Sequence, residues 1–299
     1  MLIPIEDLYG VVYFLVDTWY LCKGQHLLGR TVGDKPTFSD SEVLTLMLGM
    51  DFFEFTSERR YIEFIRANYL NLFPNLLDQS QFNRRARSLR LLLNELRKDW
   101  AAQLGVHLEE HFLLDATPVV AVGYRRDKRH SAFLGSANYG FCASRKMKYF
   151  GYKLVMLTTL DGLPSGFELV AANTDDRDAA DEILDGLPAG SNVWSDKGFI
   201  DSDWQAQWAS QGRHIWTVKR KNQHVQNPPE FDRLLNHVRQ RIECAFDILK
   251  EGGRSVEHTL AHTISGLCSR IIAKISSVTL RLFLRRFFGI DVLTYTANA

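Results

Sequence analysis

The stretch YKLVMLTTLDGLPSGFELVA, residues 152–171, predicts two β-strands joined by a tight turn. Tyr152 to Leu160 and Gly166 to Ala171 are apolar runs rich in strand-forming residues. Between them, Asp161-Gly162 is a dipeptide typical of hairpin turns. The stretch therefore predicts an antiparallel hairpin with buried strands.

Outward from this hairpin, the element order indicates the fold class. The apolar run His111 to Leu114 predicts an earlier strand that ends at Asp115, and Val119 to Val122 continues extended after Pro118. Downstream, the pattern predicts a helix over Asp178–Leu187, a strand over Asn192–Ser195, a helix over Asp201–Gln211, a strand over His214–Lys219 and a helix over Phe231–Glu251. We therefore predict an α/β fold with a ribonuclease H-like mixed sheet, a three-strand meander plus parallel strands, flanked by helices.

The first 105 residues have helical periodicity, and we predict an all-helical N-terminal domain over residues 1–105. Ser39-Asp-Ser-Glu42 is a capping box that opens one of its helices. A long helix from Ser80 to about Leu104 is expected to bury Phe82, Ala86, Leu89, Leu93 and Leu96 and to leave Arg84, Arg85 and Arg87 outside. This arrangement resembles a DNA-binding helix-turn-helix module. Residues 106–299 would then form the ribonuclease H-like domain with a helical C-terminal extension.

Composition places the chain among folded globular proteins. Its 299 residues are 45% hydrophobic and 24% charged with a net charge of +1, which excludes disorder and a uniformly basic binder. Charge is nevertheless segregated. Tyr124 to Lys153 contains eight Lys and Arg against one Asp, whereas Asp161 to Asp203 contains eleven acids against two bases. Such neighbouring blocks favour a site that binds phosphates and holds cations with carboxylates.

Three carboxylates occupy suitable places in the predicted order. Asp115 ends the first strand, Asp196 ends the fourth, and Glu243 lies in the helix whose buried stripe is predicted to be Val238, Ile242, Ala245, Phe246 and Leu249. Glu243 can therefore face the ends of both strands. Each residue alone is also compatible with a turn or a solvated helix pair. Together they suit a pair of divalent cations for phosphoryl transfer.

Five short motifs in order resemble the DDE transposases of bacterial insertion sequences. They are Leu113-Leu-Asp-Ala-Thr-Pro-Val119, Tyr149-Phe-Gly-Tyr-Lys-Leu154, Gly162-Leu-Pro164 with Ala172-Asn173, Ser195-Asp-Lys-Gly198, and Arg239 and Lys250 around Glu243. The resemblance implies that Asp115, Asp196 and Glu243 form a catalytic triad that binds Mg²⁺, with Mn²⁺ as a substitute. It also implies that Arg239 and Lys250 contact DNA phosphate.

The resemblance further implies a cytoplasmic, nucleoid-associated bacterial enzyme that cuts the terminal inverted repeats of its element and joins them to target DNA. Because two DNA ends must be brought together, a homodimer is expected, and no membrane partner is. The predicted DNA-facing residues outside the last motif are Lys153, Arg145, Lys146, Lys148, Lys219, Arg220, Lys221, Arg84, Arg85 and Arg87. Two alternatives stay open: a metal-dependent nuclease of the same fold without strand transfer, and a non-catalytic DNA-binding protein.

Overall fold

The chain is described by a computed structural model that covers residues 1–29, 36–124, 131–143, 145–219, 227–250, 253–256, 260–292 and 295, with the backbone alone at 239 and 242–245. It divides into two compact units, residues 1–100 with 249–299 and residues 101–248. The described helices are α1 (Ile5–Trp19), α2 (Gln25–Leu27), α3 (Asp40–Gly49), α4 (Glu58–Asn68), α5 (Gln79–Gln103), α6 (Asp176–Asp185), α7 (Ser202–Ser210), α8 (Pro229–Lys250) and α9 (Ile264–Phe288). The described strands are β1 (His111–Val122), β2 (Asn138–Cys142), β3 (Met147–Thr159), β4 (Pro164–Ala171), β5 (Asn192–Ser195) and β6 (His214–Thr217).

The first unit is helical, as the sequence predicts for its N-terminal part. The predicted capping box opens α3: the Ser39 backbone N–H donates to Glu42 Oε2 at 2.6 Å, and the Glu42 N–H donates to Ser39 Oγ at 3.1 Å. Helix α5 buries the five predicted apolar side chains. The C-terminal helix α9 also belongs to this unit, with Ser269 Oγ donating to the Ala86 carbonyl at 3.3 Å. The structure thus groups residues 249–299 with residues 1–100, whereas the predicted division attaches them to the catalytic domain.

One arginine of α5 does not lie outside, contrary to the prediction. Arg85 donates to the Phe38 carbonyl and forms an ion pair of 2.7 Å with Asp40, whose side chain is 2% exposed. A buried carboxylate needs such a partner, because an unpaired buried charge is costly. Periodicity alone does not show this pairing, since Arg85 lies at the edge of the apolar stripe.

The second unit contains the predicted mixed sheet. Strands follow the order β4-β3-β1-β5-β6, with antiparallel β4-β3-β1 and parallel β1-β5-β6 pairs, so the meander followed by parallel strands is confirmed. The short strand β2, which the sequence analysis did not predict, pairs with the first residues of β3 on the edge where β4 pairs with the rest. Helix α6 packs one sheet face, where Ala179, Ala180 and Leu184 join a core with Phe112 and Leu114.

Strand β1 is longer than predicted, and this corrects the place of Asp115. The strand runs without interruption from His111 to Val122, so Asp115 lies within it rather than at its end. Pairing with β5 stops at Leu114, whereas pairing with β3 continues past Pro118. Beyond Leu114, β1 is paired with another described strand along one edge only. Pro118 is tolerated there because proline is compatible with a strand where its missing N–H is not needed by a neighbouring strand.

Candidate active site

Asp115 and Asp196 are brought together by the parallel pairing of β1 and β5. The paired register ends with Leu114 opposite Ser195, and the two aspartates are the next residue of each chain segment. Residues in matching register on neighbouring parallel strands share a sheet face. The sheet therefore places the two predicted carboxylates side by side, although one lies within its strand and the other directly after.

Backbone amides position both carboxylates. Asp115 Oδ1 accepts a hydrogen bond of 2.7 Å from the Ala116 N–H. Asp196 Oδ1 accepts one of 2.8 Å from the Gly198 N–H and so caps the helical turn Lys197–Phe199. Both side chains are half-buried, so they are held in place and still reach solvent. Carboxylate oxygens fixed in this way are suited to binding hard divalent cations.

Helix α8, which carries Glu243, begins on the same face of the sheet. Trp194 is paired with Leu113, two residues before Asp115, and so shares its face. The Phe231 ring of α8 packs against Trp194 and Trp216, with centroids 6.0 Å and 5.4 Å apart. In α8, Val238, Phe246 and Leu249 are buried as predicted. The side chains of Glu243 and Arg239 lie outside the described part of the structure.

The third ligand predicted from sequence thus stays a prediction. Among the side chains that the structure describes, no group of three His, Cys, Asp or Glu residues comes together as a metal site. Asp115 and Asp196 account for two of the three predicted ligands, and Glu243 is in a helix whose start is packed on their side of the sheet.

Lys153 lies on the opposite face, which argues against its predicted contact with DNA phosphate. It is paired with Pro118, three residues from Asp115, and odd and even positions of a strand face opposite ways. Its ammonium group donates to the Thr174 carbonyl at 2.8 Å and forms an ion pair of 2.5 Å with Asp176. Lys153 therefore stabilises the start of α6 through these two contacts.

The start of α6 in turn supports the loop after Asp196. Arg177 pairs with Asp175 at 2.9 Å and also with Asp201, so it joins α6 to the residue that caps α7. The hydrogen bond from Arg177 lowers the pKa of Asp175 to about 2. A side chain at Gly198 would lie 3.2 Å from Asp176 Oδ2, so this close approach favours glycine in the loop after Asp196. The sequence analysis missed these supporting acids, whose only signal was the acidic block.

The other predicted DNA-facing residues are distributed over both units. Arg145, Lys146 and Lys148 are exposed in and after the turn between β2 and β3, and Lys219 is half-buried. Arg84 is exposed, whereas Arg87 Nε donates to the Asn83 carbonyl at 3.4 Å. Lys250, at the end of α8, is half-buried in the first unit. Arg220 and Lys221 lie outside the described residues.

Comparison with known proteins settles the family. Residues 107–264, just over half of the chain, match the family described as transposase DDE domain. The chain belongs to this family. The sequence matches no curated protein. The fold of this DDE transposase is similar to that of the piggyBac transposase in a cryo-electron microscopy structure of its synaptic complex with hairpin DNA, with a TM-score of 0.51, 12% identity, and coverage of 94% of this chain and 74% of that chain.

These matches confirm that the protein is a DDE transposase with a mixed α/β catalytic fold, and they place it in DNA transposition and recombination. Its origin in a bacterial insertion sequence stays a prediction. In the ranges that the structure describes, no helix is long and apolar enough to cross a bilayer.

Proposed function

We propose that this transposase cleaves DNA strands at the ends of its element and joins the released 3′-hydroxyls to target DNA. The observation that supports this proposal is the adjacent placement of Asp115 and Asp196 at the end of the β1-β5 pairing, each held by a backbone amide. Neighbouring carboxylates on one sheet face suit phosphoryl transfer, which depends on positioning and charge neutralisation.

The carboxylate oxygens of the proposed site fit Mg²⁺, with Mn²⁺ as a substitute. Asp115 and Asp196 offer the hard oxygen ligands that these ions prefer, and Glu243 of α8 is the proposed third ligand. When bound, such an ion supplies Lewis acidity and neutralises charge that develops on the phosphate oxygens. The backbone hydrogen bonds to both aspartates fix their orientation before substrate arrives.

The proposed reaction has two steps, cleavage and strand transfer. In cleavage, a water oxygen forms a bond to phosphorus and the bond from phosphorus to the 3′-oxygen breaks, leaving a 5′-phosphate and a 3′-hydroxyl. In strand transfer, that 3′-hydroxyl forms a bond to a target phosphorus and displaces the 3′-oxygen of the target strand. Cleavage replaces a diester oxygen on phosphorus with a water oxygen, and strand transfer replaces one diester oxygen with another. In each step the attacking O–H loses a proton and the leaving 3′-oxygen gains one, so the chain's own residues need only bind, orient and neutralise charge.

The proposed DNA partners are the terminal inverted repeats and the target duplex. Arg145, Lys146 and Lys148 present an exposed basic surface, and the other proposed phosphate contacts are Arg239, Lys250, Lys219, Arg220, Lys221, Arg84 and Arg87. Arg85 and Lys153 are excluded from this set because both have internal partners. Two ends must be joined in one reaction, so the proposed active form is a homodimer acting on DNA in the bacterial cytoplasm.

The decisive experiment compares Asp196→Asn with Asp203→Asn on DNA that carries the sequences flanking the gene. Asp203 is an exposed aspartate in the first turn of α7, and the same substitution there controls for the loss of one negative charge. With Mg²⁺ we expect cleavage confined to the element ends, retained by Asp203→Asn and reduced about 100- to 1,000-fold by Asp196→Asn. Strand transfer is measured on a supercoiled target in the same reaction.

Three other outcomes separate the alternatives. Metal-dependent cutting at sites unrelated to the ends, without joining, favours a nuclease of the same fold. Specific binding without cutting by the unsubstituted protein favours a non-catalytic DNA-binding protein. Equal cleavage by both variants would show that Asp196 is not a catalytic residue and would contradict the proposal.

A further inference from the structure

Strand β2 presents two aromatic rings to solvent. Tyr139 and Phe141 are 51% and 61% exposed, although a β-strand normally buries such side chains on one face. The Tyr139 ring packs edge-on against Phe150 at 5.0 Å, which fixes its orientation. Their exposure is thus a property of an ordered strand, and exposed aromatic pairs on a rigid element are typical of binding surfaces.

These rings share the sheet face of the catalytic carboxylates. Phe141 is opposite Lys148 and Tyr139 is opposite Phe150, and residues directly opposite in an antiparallel pair share a face. Alternate residues of β3 continue this face from Lys148 to Met156, which is opposite Asp115. The bulge in the β1-β3 pairing does not alter this, because the extra residue, Ala121, belongs to β1.

The same hairpin is strongly basic. Residues 131–153 contain no Asp or Glu, and the exposed residues Arg145, Lys146 and Lys148 begin four residues after Phe141. We call Tyr139, Phe141, Arg145, Lys146 and Lys148 the hairpin surface. Exposed aromatic rings beside cationic side chains are typical of proteins that bind unpaired nucleic acid, since rings stack on bases and cations contact phosphates. A protein partner is disfavoured because interface cores are depleted in lysine.

We propose that the hairpin surface binds unpaired or unstacked nucleotides of the DNA that leads away from the active site, with Tyr139 and Phe141 stacking on bases. Lys148 and Met156 are eight residues apart on β3, which corresponds to roughly 26 Å along the strand. The rings are therefore too far from the carboxylates to contact the cleaved bond itself, and they are placed to contact DNA that leads away from it. This inference rests on the proposed function, which supplies the DNA.

The test measures binding by the full chain without added metal, so that no strand is cut. The probes are a single-stranded oligonucleotide carrying 2-aminopurine and a fully paired duplex of the same sequence. Phe141→Ala is expected to weaken single-strand binding about 5- to 150-fold and to change duplex binding less than twofold. Phe141→Trp should retain single-strand binding and quenching of 2-aminopurine, because the larger ring also stacks.

Two further variants make the result specific. Phe141→Leu keeps an apolar side chain without a ring and should lose as much single-strand affinity as Phe141→Ala. Leu108→Ala removes another exposed apolar side chain, 76% exposed just before β1 begins, and should leave binding unchanged.

Three results would overturn the inference: unchanged single-strand affinity in Phe141→Ala, equal losses for duplex and single strand, or full affinity in Phe141→Leu. Because no cleavage is required, a chain that binds in this way but never cuts would contradict the proposed function and leave the hairpin surface intact.

Discussion

Lys146 lies in the turn between β2 and β3. Its backbone conformation favours glycine or asparagine, although the residue is a lysine. It has a φ of 50°, in the left-handed region, and its N–H donates to the Ala143 carbonyl at 3.2 Å. A side chain other than glycine or asparagine costs about 1–2 kcal/mol there. The proposed phosphate contact of Lys146 offers a reason for a lysine at this position despite that cost.

We predict that Lys146→Asn separates these two contributions. Asparagine tolerates the left-handed conformation, so the free energy of unfolding should stay equal or rise by up to about 1 kcal/mol in urea titrations. Loss of one cation should weaken DNA binding and make the slope of log affinity against log salt shallower by about 0.9 for duplex. Lys146→Arg, which keeps the charge, is the matched control. Wild-type affinity and salt slope in Lys146→Asn would remove this residue from the DNA surface.

At the scale of elements, a buried carboxylate joins three segments of the first unit. Asp51, after α3, pairs with Arg254 and lies 3.7 Å from Lys274 Nζ in α9. The Asp51 carbonyl also accepts from Arg281 of α9. Burial lowers the pKa of Lys274, so its charged form depends on this acid. One carboxylate therefore offsets two buried cations, Arg254 and Lys274.

Asp51→Ala is expected to destabilise the first unit by about 3–5 kcal/mol, because Arg254 and Lys274 would be left buried without their counter-charge. Thermal or urea unfolding measures the change. Asp291→Ala is the matched control, since Asp291 pairs with Arg285 and with the N-terminal amino group at the surface and its loss should cost less than about 1 kcal/mol. Equal effects of the two substitutions would contradict the structural role of Asp51.

The elements that could be predicted from the sequence are those marked by residues close to one another along the chain. Helix α3 has its capping box, the β3-β4 hairpin has Asp161-Gly162, and β5 ends where Asp196 begins, so these positions followed from turn chemistry and periodicity. Strand β2 was missed because its five residues include Gly140 and lack a buried face. The internal pairs of Arg85 and Lys153 were missed because ion-pair partners distant in sequence leave no periodic signal. Two of the three proposed ligands could nevertheless be placed together from strand order alone.

At the scale of the whole molecule, the chain leaves the first unit near residue 100 and returns to it near residue 249. Helix α9 is then central to that unit: its buried side chains include Leu267, Ile271, Ile272, Ile275, Val278, Leu280, Phe283 and Leu284. At about 1.5–3 kcal/mol for each, their burial contributes roughly 12–24 kcal/mol, as much as or more than the net stability of a typical domain, about 5–15 kcal/mol. The predicted division instead attached the C-terminal helix to the catalytic domain, because a helical pattern shows that a face is buried but not which segment covers it.

A chain that ends at Lys250 is therefore expected to lose the first unit and keep the second. Without α9, the buried faces of α3 and α5 are exposed and Asp51 loses Arg254 and Lys274, whereas the strand pairs of β1, β3 and β5 lie wholly within residues 101–248. Hydrogen exchange should become fast across residues 40–49 and stay slow across 112–119 and 152–158. Slow exchange in α3 of the shortened chain would contradict the central place of α9. Fast exchange throughout would show instead that the second unit does not fold without the first. Its own core between α6 and the strands would then be too small for independent stability.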